Sequence, residues 1–166
     1  MNYKHAACAF ALALSSLPAH ADTWACEVLL CLSNPAGPTA VAQCVPPISK
    51  LWKHLAKGKG FPFCDMGGGS NAARNDWTSE QNCPPQYLVA GNDLPYCSYT
   101  GVITVNQNGQ PYMRVWWSPG STPAIENLNP DAPTTEASEK FMNDYAEYQA
   151  VQAAAAAWAA AAGAGN

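Results

Sequence analysis

The residues best suited to chemistry in this chain are six cysteines, one helical glutamate and one histidine. Cys26, Cys31, Cys44, Cys64, Cys83 and Cys97 remain when the first 21 residues are set aside. Thiol exchange works through a low-pKa thiolate, usually in a C-x-x-C pair, and no such pair exists. Zinc needs clustered Cys and His at short spacings. Cys26 and Cys31 make a C-x4-C with no second pair, and His54 stands alone on a polar helical face. Neither a metal nor any other cofactor is expected. An even cysteine count in an exported chain points instead to three structural disulfides.

Glu27 is the one charged residue between Trp24 and Leu32, where the acid of a glycan-cleaving enzyme could sit. It has no second carboxylate near it in sequence, and a solvent-facing helix edge explains it equally simply. Gly67-Gly68-Gly69-Ser70 lacks the Gly-Lys-Ser/Thr of a phosphate loop and reads as a connector. A single histidine supports no Ser-His-Asp set. No catalytic residue is assigned, and the chain is not expected to be an enzyme.

Candidate interaction residues remain. Lys50, Lys53 and Lys57, with Lys59, form the polar side of a helix. They suit either a solvated face or contact with anionic phospholipid, cell wall or an acidic partner. Trp116 and Trp117 suit hairpin packing or, if exposed, a binding surface. Tyr145, Tyr148 and Trp158 form an aromatic stripe that could dock on the domain or on a partner.

The elements that must position these residues follow from periodicity. The 166-residue chain opens with Lys4 and His5, an apolar run over 6–17 and Ala19-His20-Ala21, the pattern of a cleaved secretory leader. Its removal takes Cys8 and Lys4 and leaves seven cations against twelve acids, a net charge of −5. That balance argues against nucleic acid as a partner. A first helix is expected from Asp22 or Thr23 to Ser33, and a short second one from Pro38 to Cys44. A third begins at Pro46-Pro47, with Ile48, Leu51, Trp52 and Leu55 at i, i+3, i+4 and i+7. A helical turn is expected around 71–76.

Val102-Ile103-Thr104-Val105, then Asn108-Gly109, then Tyr112 to Trp117 read as a β-hairpin, one face of which should lie on the helices. Four prolines mark 118–133 as a linker. Thr134 or Thr135 can cap a last helix that runs into an alanine tract. Cys26 and Cys31 lie about 140° apart on an α-helix, so each should tie the first helix to a different neighbour. Fifteen pairings are open to six cysteines. The element order favours Cys31–Cys44 and Cys83–Cys97, leaving Cys26–Cys64.

The opening stretch resembles the TrbM family of plasmid conjugal-transfer proteins, related to the KikA-type proteins. The resemblance rests on Cys26-Glu27-Val28-Leu29-Leu30-Cys31-Leu32-Ser33, Asn34-Pro35-Ala36-Gly37-Pro38-Thr39, Cys44-Val45-Pro46-Pro47-Ile48, Leu51-Trp52 and Phe61-Pro62-Phe63-Cys64. It covers about Asp22 to Cys64, extends towards the hairpin near Trp117, and does not take in the alanine-rich tail. It implies a periplasmic accessory of the mating-pair-formation apparatus, a type IV secretion system, whose partners are other conjugation proteins. It carries over no catalytic residue.

The expected fold is therefore mainly α: a disulfide-stapled helical core with a small β-hairpin and an extended C-terminal Ala-rich helix. Its parts are a leader (1–21), a stapled core (22–117), a Pro-rich linker (118–133) and a helical tail (134–166). The expected function is protein–protein interaction in the conjugative apparatus, with possible peripheral membrane or cell-wall contact. A cell-wall hydrolase using Glu27 and a small envelope-active killing protein are the alternatives.

Overall fold

The computed structural model describes residues 23–64 and 72–163. The leader and the glycine connector at 67–70 lie outside the described residues. Helix α1 (Thr23–Leu32) buries Ala25, Val28, Leu29, Cys31 and Leu32. It ends where Pro35 denies the next turn an N–H, and Asn34 closes the turn by accepting from the Ala36 N–H through its side chain. The expected short helix over 38–44 is instead a run of turns ending in one 3-10 turn, Ala42–Cys44. Pro38 and the positive φ of Gly37 keep this stretch from propagating as α-helix. Helix α2 (Val45–Leu55) starts on Pro46-Pro47, which need no N–H there, and buries Pro47, Ile48, Leu51 and Leu55. Gly58 closes it at φ 70° with its N–H on the Leu55 carbonyl.

The expectation of a mainly α protein is overturned. The centre of the molecule is a four-stranded antiparallel sheet in the order β1 (Ala72–Trp77), β4 (Gly101–Gln107), β5 (Gln110–Trp117), β6 (Ala124–Asn127). The β4–β5 pair is the hairpin, turned at Asn108 and Gly109, both at positive φ. The two outer strands correct two further expectations. Residues 72–77 pair with β4 rather than forming a helical turn. Residues 124–127, inside the stretch read as a linker, pair with β5. Strands β2 (Leu88–Val89) and β3 (Tyr96–Cys97) form a separate two-stranded ribbon.

Successive strand side chains alternate between faces, and here both faces are covered. Ile103, Val105, Met113, Val115, Trp117 and Ile125 pack against α1 and α2. Val102, Trp116 and Ala124 point the other way, against Tyr87, Tyr99 and the Cys83–Cys97 bridge, with Phe141 of the last helix. That helix, α3 (Glu136–Gly163), meets β6 and the 3-10 turn Pro85–Tyr87 at its start; from Gln149 onward every described residue is exposed. The molecule is a three-layer α+β sandwich.

Three disulfides hold these layers: Cys26–Cys64, Cys31–Cys44 and Cys83–Cys97. They are the pairs that the element order favoured. Cys26 and Cys31 do leave α1 in different directions, one to the segment after α2 and one to the turn before it. Three disulfides fit an oxidising compartment. No helix among the described residues is long and apolar enough to cross a membrane.

Candidate interaction site

The sequence's chemical candidates disperse over the fold. Glu27 is exposed on α1. His54 donates from Nε2 to the Gly60 carbonyl at 3.0 Å and meets Trp24 edge-on at 5.3 Å, a contact that fixes the end of α2. Lys50, Lys53 and Lys57 are exposed, with the Lys50 ammonium 4.0 Å from the Trp24 ring centre. Of the two readings of Trp116 and Trp117, hairpin packing holds and an exposed binding surface does not: they are 2 % and 1 % exposed. Trp117 stacks on Trp52 at 5.3 Å and donates to Asn75 Oδ1 at 2.7 Å. Gly101 opposite it has no room for a Cβ, which would lie 2.6 Å from the Trp117 indole nitrogen. Tyr145 and Tyr148 stack at 6.4 Å, and Trp158 stands 79 % exposed, far along α3.

Two of these residues do meet. Trp116 and Tyr145 line one groove of ≈ 340 Å³ between the sheet, the start of α3 and the stapled loop. Its floor follows from strand alternation: Arg114 and Trp116 share a face of β5, and Glu126 lies across from Arg114 on β6. Glu126 accepts from Trp116 Nε1 at 3.1 Å and from Arg114 at 3.3 Å. One wall is Cys83-Pro84-Pro85-Gln86, held by the Cys83–Cys97 bridge. The other is Phe141 and Tyr145, one helical turn apart on α3.

A half-buried polar cluster fixes the α3 wall. The Tyr87 hydroxyl donates to Asp144 Oδ2 at 2.8 Å, and Lys140 donates to the same oxygen. Tyr87 also packs edge-on against Tyr99 and Phe141. Burial pushes the Tyr87 hydroxyl far above the ordinary tyrosine value, and the Asp144 carboxylate adds to the shift. Burial also raises Tyr99, with Lys140 opposing. Burial works to lower Lys140, but its bond to Asp144 and the nearby Tyr99 outweigh that and leave it raised. A tyrosine or lysine serving as base or nucleophile near neutral pH needs the opposite shift. The cluster is a clamp. Thr135 completes it at the start of α3: its N–H bonds the Ser138 hydroxyl at 2.9 Å, and its own hydroxyl donates to the Pro35 carbonyl at 2.7 Å.

Comparison with known protein families, with curated proteins and with solved structures finds no match.

The groove wall contains an unsatisfied group. The Gln86 side-chain amide is buried, and neither its Nε2 nor its Oε1 has a hydrogen-bond partner among the described residues. Each such group costs about 1–3 kcal/mol when left unpaired. Gln86 also borders a second groove on the other flank of α3, beside Asp144, Glu147 and Tyr148. Sequence reading singled out neither Gln86 nor Arg114 nor Glu126. The one available signal was Arg114-x-Trp116, an i, i+2 pair on a strand. It identifies a shared face, but the strand across from it was hidden. Among the described residues no group of His, Cys, Asp and Glu could hold a metal ion.

Proposed function

We propose that this chain is a periplasmic accessory of a conjugative, type IV secretion apparatus and that it acts by binding other proteins of that apparatus. The observation that carries the binding role is the groove under α3. It joins aromatic walls, a half-buried Arg114–Glu126 pair and an amide with both donor and acceptor unpaired. An open groove with aromatic walls and one ion pair suits a segment of a partner polypeptide. The assignment to conjugation rests on the TrbM-like residues. These lie together in the α1–α2 layer, which the Cys26–Cys64 and Cys31–Cys44 bridges close.

The test is genetic and structural together. The gene is deleted from its plasmid, and transfer frequency and pilus assembly are measured with wild-type or Tyr145→Ala, Gln86→Leu chains supplied in trans. The reading expects transfer to fall on deletion, to return with the wild type and to return only in part with the groove variant. Unchanged transfer into several recipients after deletion would remove the conjugation assignment. Full rescue by the groove variant would remove the groove.

A further inference from the structure

Cations are divided unevenly over this molecule. Every arginine and lysine from residue 60 onward among the described residues is ion-paired: Arg74 with Asp76, Arg114 with Glu126 and Lys140 with Asp144. The other four, Lys50, Lys53, Lys57 and Lys59, are exposed, and no carboxylate lies within ion-pair distance of them among the described residues. The sequence explains this, because it has no acid anywhere from residue 28 to residue 64. In a chain of net negative charge, the unpaired lysines and arginines among the described residues therefore all fall on the ten residues 50–59.

Geometry gathers that charge on one surface. Lys50 and Lys53 fall about 60° apart on α2, opposite the buried stripe of Ile48, Leu51 and Leu55. Lys57 and Lys59 follow in the closing turn around Gly58. Trp24 lies beneath Lys50. The four lysines line none of the molecule's principal grooves.

We infer that the α2 lysine face is a docking surface for anionic phospholipid headgroups. Lysines are compact, strongly hydrated point charges, without the fixed fork with which arginine grips one carboxylate or phosphate. A row of exposed lysines suits a broad, diffuse sheet of negative charge. The surface lies on the α1–α2 layer, across the sheet from the groove proposed for protein, so one molecule can engage both. The inference does not depend on the groove reading.

The experiment is co-sedimentation of the exported, disulfide-bonded chain with vesicles of phosphatidylglycerol in phosphatidylcholine, against pure phosphatidylcholine. Binding to the anionic vesicles that weakens as salt rises is expected, with little binding to the neutral ones. Each lysine near such a surface is worth roughly a five-fold change in partition. The Lys50→Gln, Lys53→Gln, Lys57→Gln, Lys59→Gln variant should therefore lose on the order of a hundred-fold or more. Its circular dichroism should be unchanged, because all four side chains are exposed. The inference is overturned if the chain ignores anionic vesicles at low salt, or if neutral vesicles bind equally well. It is also overturned if the folded four-lysine variant binds like the wild type, or if the face captures an acidic protein and no vesicle.

Discussion

The two layers that cover the sheet are held by different physics. On one face, α1 and α2 present apolar stripes to Ile103, Val105, Met113, Val115 and Trp117, and two disulfides close the layer at its ends. Nothing in that layer is buried and charged. On the other face, one disulfide shapes the loop, and a polar cluster of Tyr87, Lys140 and Asp144 pins α3. The first layer depends on shape and crosslinks, and its lysines lie outside with no carboxylate partner among the described residues. The second depends on hydrogen bonds in partial burial, and its cations are consumed in pairs. Both should respond to core volume and to disulfide reduction, and the second should respond to high pH as well.

The largest test of that contrast is Trp117→Ala. It removes a buried indole stacked on Trp52 and should cost about 3–5 kcal/mol, read from urea unfolding. Next come the crosslinks. Loop closure predicts about 4 kcal/mol for Cys26→Ser with Cys64→Ser, which span 38 residues, and about 3 kcal/mol for Cys83→Ser with Cys97→Ser, which span 14. Equal losses, or a larger loss from the second pair, would blur the distinction between the layers.

The pH response comes third. Tyr87 and Lys140 both have folded pKa values raised above their ordinary ones. The native state therefore holds their protons more tightly than the unfolded chain does. The stability they contribute is present below about pH 10 and is lost as pH climbs beyond it. Limited proteolysis above pH 10 should release α3 before it touches α1–α2, and Asp144→Asn should flatten the pH dependence. Cleavage of α1–α2 first would contradict the assignment of the cluster as the α3 clamp. The smallest effect is expected from truncation after Ala150. The remainder of α3 is exposed throughout, so stability should change by less than about 0.5 kcal/mol in the same urea assay.

Much of the α1–α2 layer was legible because its signals are local. Ile48, Leu51 and Leu55 mark a helical face without reference to anything distant. The cysteine pairs follow from the order of the helices. The hairpin was legible for the same reason, since Asn108-Gly109 dictates its turn. The outer strands were not. Ala72 to Trp77 reads Ala-Ala-Arg-Asn-Asp-Trp, with no β-branched residue, and Ala124 to Asn127 is four residues among prolines. Each is a strand because β4 or β5 offers it a row of backbone partners, and strand preference of this kind comes from context. Missing them turned an α+β sheet protein into a helical one with a hairpin.

The groove was hidden by the same omission. Phe141 and Tyr145 could be placed on one helical face, and Trp116 on a strand. Their meeting depended on β6 bringing Glu126 to Arg114 and on the Cys83–Cys97 loop standing opposite α3. The adjacent pair Trp116-Trp117 illustrates the limit. Neighbours on a strand point to opposite faces, so both can be buried only if both faces are covered, and the covering layers come from residues 23–64, 83–99 and 136–145.

By itself, the sequence determined the first and last helices of the α1–α2 layer, the hairpin turn, the cap of α3 and the acid-free basic stretch, because each is written in residues close together along the chain. Only the tertiary structure decided that the sheet has four strands, that it is covered on both sides, that Trp116 and Trp117 are core, and that Gln86 sits unpaired beside a groove. Those outcomes depend on which distant backbone completes a strand's hydrogen bonds and which distant side chain fills the space beside an indole. No local pattern of residue types encodes either.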